Sequence, residues 1–312
     1  MTVLRIIAGS ANPELAATIA NYLGAGPPET VLDRFPDGEL LPTVENVGGS
    51  DVYVVQPTPP PVNDHLAELL LLLDACQRAR AARITAVVPY LGYARQDRRT
   101  HPGQALGVAV FTRAIAAAGA HRLIVIDPHT PALEAICPIP TETLTAVPVL
   151  AQEIALSERV VVAPDEGAVK LAEQYAQVSP NPLAVVRKRR ESGTTVTALE
   201  LIGDVRGALP VIVDDMISTG ATIETAVGLL RVHDAAPDVT VAATHGVFAH
   251  GAVGRLHRLG LRHVLITDTI AHRSLPPEFQ VCSIAPLLAE AIAAMHDNAA
   301  LHPPVSTVWS IS

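Results

Sequence analysis

Short runs of β-branched and aliphatic residues alternate along the chain with longer, Ala- and Leu-rich amphipathic segments. The short runs are apolar at successive positions, which is typical of strands buried on both faces of a parallel sheet. The longer segments between them are typical of helices that cover such a sheet. The pattern therefore predicts an α/β fold with mainly parallel sheets flanked by helices.

The alternation of apolar runs and amphipathic segments predicts the positions of individual strands and helices. The predicted strands are Val3–Ala8, Asp51–Gln56, Ile84–Pro89, Arg122–Asp127, Val160–Pro164, Leu183–Arg187, Pro210–Asp214, Val239–Thr244 and His263–Thr267. The predicted helices are Pro13–Leu23, Asn63–Ala81, Gln104–Ala118, Ala168–Gln177, Ile223–His233 and Ala252–Leu259. A Pro- and Thr-rich break at Pro138–Pro148, and a length of 312 residues, indicate two similar halves. We expect an N-terminal domain over residues 1–146 and a C-terminal domain over residues 147–312, whose last helix can pack back on the first domain.

Composition excludes several classes of protein. A hydrophobic share of 49% with 17% charged residues excludes disorder, and a net charge of −9 provides no general attraction for nucleic acid or anionic lipid. The richest apolar run, Leu69–Leu73, is too short to span a bilayer, and the N-terminus lacks a signal-type segment. Cys76, Cys137 and Cys282 form no CxxC pair, which favours a reducing, cytoplasmic compartment.

The most informative motif is a predicted strand that ends in Asp214 and Asp215 and is followed by the Ser/Thr/Gly loop Ser218–Thr222. Loop amides and hydroxyls at the start of a helix suit a phosphate monoester. The two acids can accept hydrogen bonds from vicinal sugar hydroxyls. A phosphorylated sugar therefore fits the motif better than the simpler interpretation, an acidic turn with ordinary helix capping.

Three further segments follow predicted strands, where ligands bind in open α/β sheets. Tyr90–Arg99 is rich in arginine and tyrosine and suits a nucleotide, although a solvated charged loop has the same composition. His129 ends a strand and would be structural unless a carboxylate such as Asp165 approaches it. Lys188, one of only two lysines, lies in a basic run with Arg190 before a Gly/Thr-rich stretch, which suits either a mobile cationic arm or a basic hairpin.

Taken in order, these motifs resemble those of the ribose-phosphate diphosphokinase (phosphoribosyl pyrophosphate synthetase) family. The resemblance runs from the first strand to about Leu288. Its markers are Phe35–Glu39, Asn63–Leu69, Tyr90–Arg98, Asp127–His129, Leu144–Pro148, Pro164–Gly167, Lys188–Arg190 and Asp214–Thr222. The resemblance implies two tandem phosphoribosyltransferase-like domains and transfer of the β,γ-diphosphoryl group of ATP to the 1-hydroxyl of ribose 5-phosphate.

The resemblance also implies a role for each matching residue. ATP would contact Arg95, Gln96 and Asp97, with Phe35, Asp37 and Glu39 supplied by a neighbouring subunit of a homo-oligomer, a dimer or a multiple of dimers. Ribose 5-phosphate would bind Asp214, Asp215, Ser218, Thr219, Gly220, Ala221 and Thr222. Mg²⁺ would be held by His129 and Asp165, and Lys188 and Arg190 would be catalytic. No nucleic acid or membrane partner is implied.

Some features depart from the family pattern, and two other functions stay open. Ser218 stands where many members have a third Asp, and Pro128 stands where Leu is usual. A type I phosphoribosyltransferase would share the Asp214–Thr222 motif, but it leaves the doubled domain and the Arg95–Arg98 cluster unexplained. A non-catalytic regulatory homologue would be expected to lack Lys188, Arg190, His129 or Asp165, all of which are present.

Overall fold

The computed structural model describes residues 2–26, 30–154, 159–178, 180–190 and 197–299. They form two units. The first comprises the residues up to Thr145, together with Thr269–Ala271 and the residues from Ile284 onward. The second comprises Ala146–Asp268 and His272–Ser283.

The described elements follow one another along the chain as alternating strands and helices. They are β1 (Leu4–Ala8), α1 (Pro13–Tyr22), β2 (Thr30–Arg34), β3 (Leu40–Val44), β4 (Asp51–Val55), α2 (Val62–Arg78), β5 (Arg83–Val87), α3 (Gly107–Ala117), β6 (Arg122–Ile126), α4 (Leu133–Ile136), β7 (Thr141–Leu144), α5 (Val147–Ile154), β8 (Arg159–Ala163), α6 (Val169–Val178), β9 (Leu183–Arg190), β10 (Thr197–Ile202), β11 (Leu209–Ile217), α7 (Ala221–Val232), β12 (Thr240–Gly246), α8 (Ala252–Arg258), β13 (His263–Thr267), β14 (Phe279–Cys282) and α9 (Ala285–His296).

The first unit is built on a parallel sheet with the strand order β1-β4-β5-β6-β7. Every residue of β4 is buried, as expected for a strand covered on both faces. Its Val52 and Val54 pack in one core with Leu69 and Leu72 of α2. The hairpin β2-β3 forms a separate antiparallel sheet.

The second unit is built on a sheet with the order β10-β9-β8-β11-β12-β13-β14, in which β10 is the antiparallel strand. Strands β8 and β11 are direct neighbours. The chain continues from β8 to one side of the sheet, through β9 and β10, and from β11 to the other side. This reversal creates a topological switch point, where the carboxyl ends of parallel strands form a ligand crevice.

The predicted α/β class is confirmed, and each predicted strand and helix has a counterpart in the structure. The predicted elements did not include the hairpin β2-β3, the strands β7, β10 and β14, or the helices α4 and α5, and α9 was expected only as a last helix without stated bounds. The predicted break at Pro138–Pro148 contains β7 and the start of α5. The prediction that a strand ends at Asp214 is wrong, because β11 continues to Ile217. Its pairing with β12, up to Ile217 opposite Gly246, maintains the backbone ladder past the two acids.

A buried ionic cluster joins α9 to the sheet of the first unit. The Asp51 side chain, 2% exposed, accepts hydrogen bonds from Arg83 Nε at 2.7 Å, from Arg83 Nη2, and from His296 Nδ1 at 2.7 Å. Burial alone would raise the pKa of Asp51, but the hydrogen bonds from Arg83 and His296 lower it below its ordinary value. The ionised Asp51 carboxylate therefore stabilises the folded protein.

We predict that Asp51→Asn lowers the free energy of unfolding by about 3 kcal/mol, because the partly buried Arg83 guanidinium loses its charged, buried partner. The folded-state pKa of Asp51 lies below its unfolded value, so its contribution exists above that value and is lost as the pH falls through the lower one. Chemical denaturation of both proteins from neutral to acidic pH measures the difference, which shrinks below the ordinary aspartate pKa of 3.8. The matched control is Asp74→Asn, which removes an exposed pair with Arg78 and should change stability little. Equal effects of the two substitutions would contradict the prediction.

Candidate functional site

Two neighbouring carboxylates lie at the carboxyl end of β11, beside the switch point of the second unit. Asp214 and Asp215 are both partly buried, and Asp214 Oδ1 accepts a hydrogen bond from the Asp215 N–H at 2.9 Å. Burial raises the pKa of Asp214 well above its ordinary value, and the negative charges of Asp215 and Asp165 raise it further. The fold thus concentrates negative charge at a place where cations or hydroxyl donors are favourable partners.

The loop after the acid pair leads directly into the start of α7. Gly220 adopts a left-handed backbone with φ of 76°, which glycine tolerates without steric cost, and α7 begins at the next residue, Ala221. The predicted loop residues Ala221 and Thr222 are therefore the first residues of the helix, where backbone N–H groups lack intrahelical acceptors. Thr219 is exposed, and its carbonyl oxygen accepts a hydrogen bond from Arg255 Nη1 at 2.9 Å. The amides and hydroxyls of Ser218–Thr222 form a suitable phosphate cradle.

A second loop supports this cradle, and sequence reasoning did not identify it. The N–H groups of Phe248 and Ala249 donate to the carbonyl oxygens of Ile217 at 3.0 Å and Ser218 at 2.9 Å. Phe248 has a φ of 43°, an unfavourable left-handed conformation for an aromatic residue. Gly246 lies against it so closely that an added Cβ would be 2.8 Å from Phe248 Cε2. No local sequence signal marks this support, since it depends on contacts with a different strand.

Asp165 lies two residues after the end of β8, the neighbour of β11. Its Oδ1 accepts hydrogen bonds from the N–H groups of Gly167 at 2.8 Å and Ala168 at 3.2 Å, so it fixes the turn that leads into α6. Its charge also contributes to the raised pKa of Asp214. The carboxyl ends of β8 and β11 therefore contribute acids to one electrostatic environment.

The basic segment belongs to β9, whose strand extends three residues beyond the predicted end at Arg187. Arg187 Nε pairs with Glu166 Oε1 at 2.6 Å, next to Asp165 in sequence. The backbone of Lys188 pairs with Leu199 in β10, and that of Arg190 pairs with Thr197. The predicted catalytic side chains of Lys188 and Arg190, and the Gly/Thr-rich stretch 191–196, lie outside the described residues.

In the first unit, the segment Tyr90–Arg99, here called the arginine loop, follows β5. Arg95 and Gln96 are exposed. Asp97 accepts two hydrogen bonds from Arg98, from Nε at 2.9 Å and from Nη2 at 2.8 Å. These bonds lower the pKa of Asp97 to about 2, with a further contribution from a hydrogen bond with Thr130. Asp97 therefore stays ionised and holds Arg98, while Arg95 and Gln96 face solvent.

The loop that carries His129 follows β6 in the same unit. His129 is exposed, whereas the next residue, Thr130, is buried and bonded to Asp97. Asp127 has a φ of 36°, and its N–H donates to the carbonyl oxygen of Leu144 at 3.0 Å. A left-handed aspartate at a strand terminus is strained backbone of the kind found at functional sites. Thr130 connects the His129 loop to the arginine loop.

Three predicted ATP contacts lie at the tip of the hairpin β2-β3. Phe35, Asp37 and Glu39 are all exposed. The turn is closed by a hydrogen bond from the Phe35 N–H to the Glu39 carbonyl oxygen at 2.8 Å, and Asp37 Oδ1 accepts from the Glu39 N–H at 3.2 Å. Val31 and Leu41 of the two strands are also about half exposed, at 48% and 45%. The hairpin thus presents an apolar surface together with two carboxylates.

The two units bring together different groups of the predicted residues. The second unit gathers Asp165, Asp214 and Asp215 with the Ser218–Thr222 cradle, and the first unit gathers the arginine loop with the His129 loop. Across the described part of the chain, no three His, Cys, Asp or Glu side chains are arranged as ligands of one metal ion. Within the same residues, no helix has the length and apolar character needed to cross a membrane.

Comparisons with known proteins cover nearly the whole chain. The family model described as the N-terminal domain of ribose phosphate pyrophosphokinase matches residues 4–119, and that of the phosphoribosyl transferase domain matches residues 143–257. A ribose-phosphate pyrophosphokinase of Gloeobacter violaceus is 42% identical over 96% of this chain and 92% of its own. One from Caldanaerobacter subterraneus is 40% identical over 95% of each chain. A crystal structure of phosphoribosylpyrophosphate synthetase from Mycobacterium smegmatis superposes with a TM-score of 0.89 at 36% identity, covering 96% of this chain and 100% of that one.

Proposed function

Because the chain belongs to the ribose-phosphate pyrophosphokinase family, we propose a division of roles among its residues. The enzyme transfers the β,γ-diphosphoryl group of ATP to the 1-hydroxyl of ribose 5-phosphate, which gives 5-phosphoribosyl 1-diphosphate and AMP. The resemblance drawn from the sequence motifs is thereby confirmed. The observation that carries the assignment of roles is the acid pair and phosphate cradle at the switch point of the second unit.

Ribose 5-phosphate binds this second-unit site. Asp214 and Asp215 accept hydrogen bonds from the ribose hydroxyls, and the Ser218–Thr222 cradle receives the 5-phosphate through backbone N–H groups and hydroxyls. Two features support this assignment. Burial and the neighbouring charges of Asp215 and Asp165 raise the pKa of Asp214 although the Asp215 N–H donates to its carboxylate, and the hydroxyls of a sugar supply further donors. The left-handed Gly220 lets the chain turn tightly from the acids into the first turn of α7.

ATP binds through the arginine loop. Arg95 and Gln96 are exposed and available to phosphate and base, and the hydrogen bond of Asp97 with the buried Thr130 ties the loop to the fold. Phe35, Asp37 and Glu39 complete the ATP site of a neighbouring subunit, so the protein is a homo-oligomer, a dimer or a multiple of dimers. The half-exposed apolar residues of the hairpin support this arrangement, since they are suited to burial against another subunit.

The shared-site arrangement makes a quantitative prediction for mixed oligomers. Phe35→Ala and Lys188→Ala subunits should each be inactive alone, because one lacks the hairpin contact and the other lacks the catalytic cation. In an equal mixture that exchanges subunits, about one quarter of the sites combine an intact hairpin with an intact catalytic set. Activity measured after co-refolding should therefore recover to about one quarter of the wild-type value. No recovery would show that the hairpin serves its own subunit.

The donor set suits Mg²⁺. This ion prefers oxygen ligands and usually retains several waters, binding through one or two protein groups plus substrate phosphates. Burial and the nearby charges of Asp215 and Asp165 raise the pKa of Asp214, and a divalent cation would relieve this accumulation of negative charge. Asp165 and His129 would hold it, His129 through water or phosphate. When bound, the ion neutralises charge on the polyphosphate of ATP.

The chain's own residues then align the reactants and stabilise charge. The ribose 1-hydroxyl oxygen attacks the β-phosphorus, the bond from that phosphorus to the α-phosphate oxygen breaks, and AMP leaves with that oxygen. Such a transfer requires positioning more than covalent chemistry. Lys188 and Arg190 stabilise the negative charge that develops on the bridging and non-bridging oxygens.

The protein acts in the reducing cytoplasm. Its three cysteines are buried and form no disulfide, which supports this location.

The two other functions are less well supported. A type I phosphoribosyltransferase function would explain the family match over residues 143–257. It would not explain the match over residues 4–119. A non-catalytic regulatory homologue would be expected to lack active-site residues, whereas Lys188, Arg190, His129 and Asp165 are all present. Both functions predict the same result in a simple assay, no AMP from ATP and ribose 5-phosphate.

The test is to incubate the purified protein with ATP, Mg²⁺ and ribose 5-phosphate and to quantify AMP by chromatography. AMP should form only when the sugar phosphate is present. Ribose without the 5-phosphate is the matched control, because it retains the reacting hydroxyl but cannot occupy the cradle. Formation of ADP, or of AMP without the sugar phosphate, would contradict the assignment.

A further inference from the structure

Thr58 lies in the loop between β4 and α2 and is completely buried, with 0% of its surface exposed. Its hydroxyl donates to the carbonyl oxygen of Tyr90 at 3.1 Å and accepts from the N–H of Gly92 at 2.7 Å. Its own N–H also donates to the Tyr90 carbonyl oxygen, at 2.8 Å. One side chain therefore satisfies both a buried acceptor and a buried donor at the start of the arginine loop.

The loop that carries Thr58 and the arginine loop approach each other so closely at Gly92 that no side chain fits there. A Cβ added to Gly92 would be 2.6 Å from Val62 Cγ1 and 2.9 Å from the Thr58 carbonyl oxygen. Gly92 is itself buried, so its N–H has little access to water as a replacement acceptor. Loss of the Thr58 hydroxyl would leave that N–H unsatisfied, and the loop would relieve the cost by moving away.

The residue after Gly92 explains why such an anchor is needed. Tyr93 has a φ of 64°, which is strained for a bulky residue. Its ring stacks on Phe111 with the centroids 4.3 Å apart, and its hydroxyl donates to Asn63 Oδ1 at 2.6 Å. Its carbonyl oxygen accepts the N–H of Gln96 at 2.9 Å, so the turn that presents Arg95 is built directly on Tyr93. Such a strained turn persists only when its surroundings hold it.

We propose that Thr58 is a positioning residue for ATP, which acts through Gly92 and Tyr93 to hold Arg95 and Gln96 in their binding geometry. The inference rests on the proposed role of the arginine loop in binding ATP. It assigns a function to a residue that makes no contact with substrate. It also assigns a role to Asn63 at the start of α2, because the Asn63 side chain accepts the hydrogen bond from the Tyr93 hydroxyl and so helps to hold the Tyr93 ring.

A pair of matched substitutions tests the proposal. Thr58→Val preserves the shape of the side chain and removes the hydroxyl, whereas Thr58→Ser preserves the hydroxyl and removes the methyl group. We expect Thr58→Val to raise the KM for ATP about tenfold, as an unsatisfied buried N–H displaces the loop. The KM for ribose 5-phosphate should change less than about twofold, because its site lies in the other unit. Thr58→Ser should keep a KM for ATP close to that of the wild type.

A merely structural role gives a different pattern. Both substitutions would then lower the melting temperature and leave the KM for ATP unchanged, which would overturn the proposal. If Thr58→Val does not fold, Tyr93→Phe decides the question, since it removes only the exposed hydroxyl contact with Asn63. It should raise the KM for ATP about threefold, and an unchanged value would likewise overturn the proposal. Absence of AMP formation by the wild-type protein would instead refute the proposed function.

Discussion

Asp214→Asn is expected to lower kcat/KM for ribose 5-phosphate about a hundredfold, since hydrogen bonds to a charged acceptor are the strong ones. The same substitution is expected to raise the free energy of unfolding of the unliganded protein at neutral pH. Burial and the neighbouring charges of Asp215 and Asp165 make the ionised Asp214 carboxylate unfavourable, and a neutral amide removes that cost. A variant that is more stable and less active is typical of a residue retained for function.

The pH dependence of the stability gain has a definite sign. The pKa of Asp214 is higher in the folded protein than in the unfolded chain, so ionisation destabilises the fold as the pH rises above the unfolded value. The increase in unfolding free energy caused by Asp214→Asn should therefore be largest at neutral pH. It should disappear below the pKa of Asp214 in the unfolded chain, where the carboxyl group is protonated in both the folded and the unfolded protein. Thermal unfolding across this pH range, combined with steady-state kinetics, measures both effects.

Asp238→Asn is a suitable control in the same unit. Asp238 is exposed and pairs with Arg262 at 3.2 Å, away from the acid pair in sequence and outside the proposed site. Its substitution should alter neither kinetics nor stability appreciably. If Asp214→Asn behaves like Asp238→Asn in both measurements, Asp214 does not bind the sugar. A less stable Asp214→Asn with full activity would contradict the electrostatic account.

Lys188→Ala is expected to lower kcat by about a hundredfold or more, because it removes a preorganised cation from the developing charge. Substrate affinities and melting temperature should change little, as the backbone pairing of β9 with β10 does not require the lysine side chain. The matched control is Lys170→Ala, which changes the only other lysine, an exposed residue of α6. Early melting with normal turnover in Lys188→Ala would show that the basic segment is structural.

The sequence predicted those elements whose burial is complete. Strands such as β4 and β12 are buried at every position, so their composition alone identifies them. The hairpin strands β2 and β3 alternate between exposed and partly buried positions, and β3 contains Pro42, so they carry no comparable apolar signal. The continuation of β11 beyond Asp214 to Ile217 was also not predicted. Pairing with β12 maintains it, and two adjacent acids normally indicate the end of a strand.

The candidate site also contains residues that the sequence predicts and residues that only the structure identifies. The acid pair and phosphate cradle were predictable, since strand, acids, loop and helix follow one another within a dozen residues. The supports were not predictable: Thr58 reaches the arginine loop across 34 positions, and Phe248 holds Ser218 through the following residue, Ala249. A buried threonine or a left-handed phenylalanine has no distinctive local pattern. Its role exists only in the contacts that the fold creates.

Transfer of an intact diphosphoryl group can be observed directly by ³¹P NMR of a reaction of the wild-type protein with ATP, Mg²⁺ and ribose 5-phosphate. The ATP signals should be replaced by equal amounts of AMP and a sugar 1-diphosphate, with the 5-phosphate signal retained in the product. Both phosphorus atoms of the new diphosphate must come from ATP, since the β,γ unit moves intact. Formation of ADP with a sugar 1-monophosphate that keeps its 5-phosphate, or release of free pyrophosphate or phosphate without a sugar diphosphate, would contradict this function.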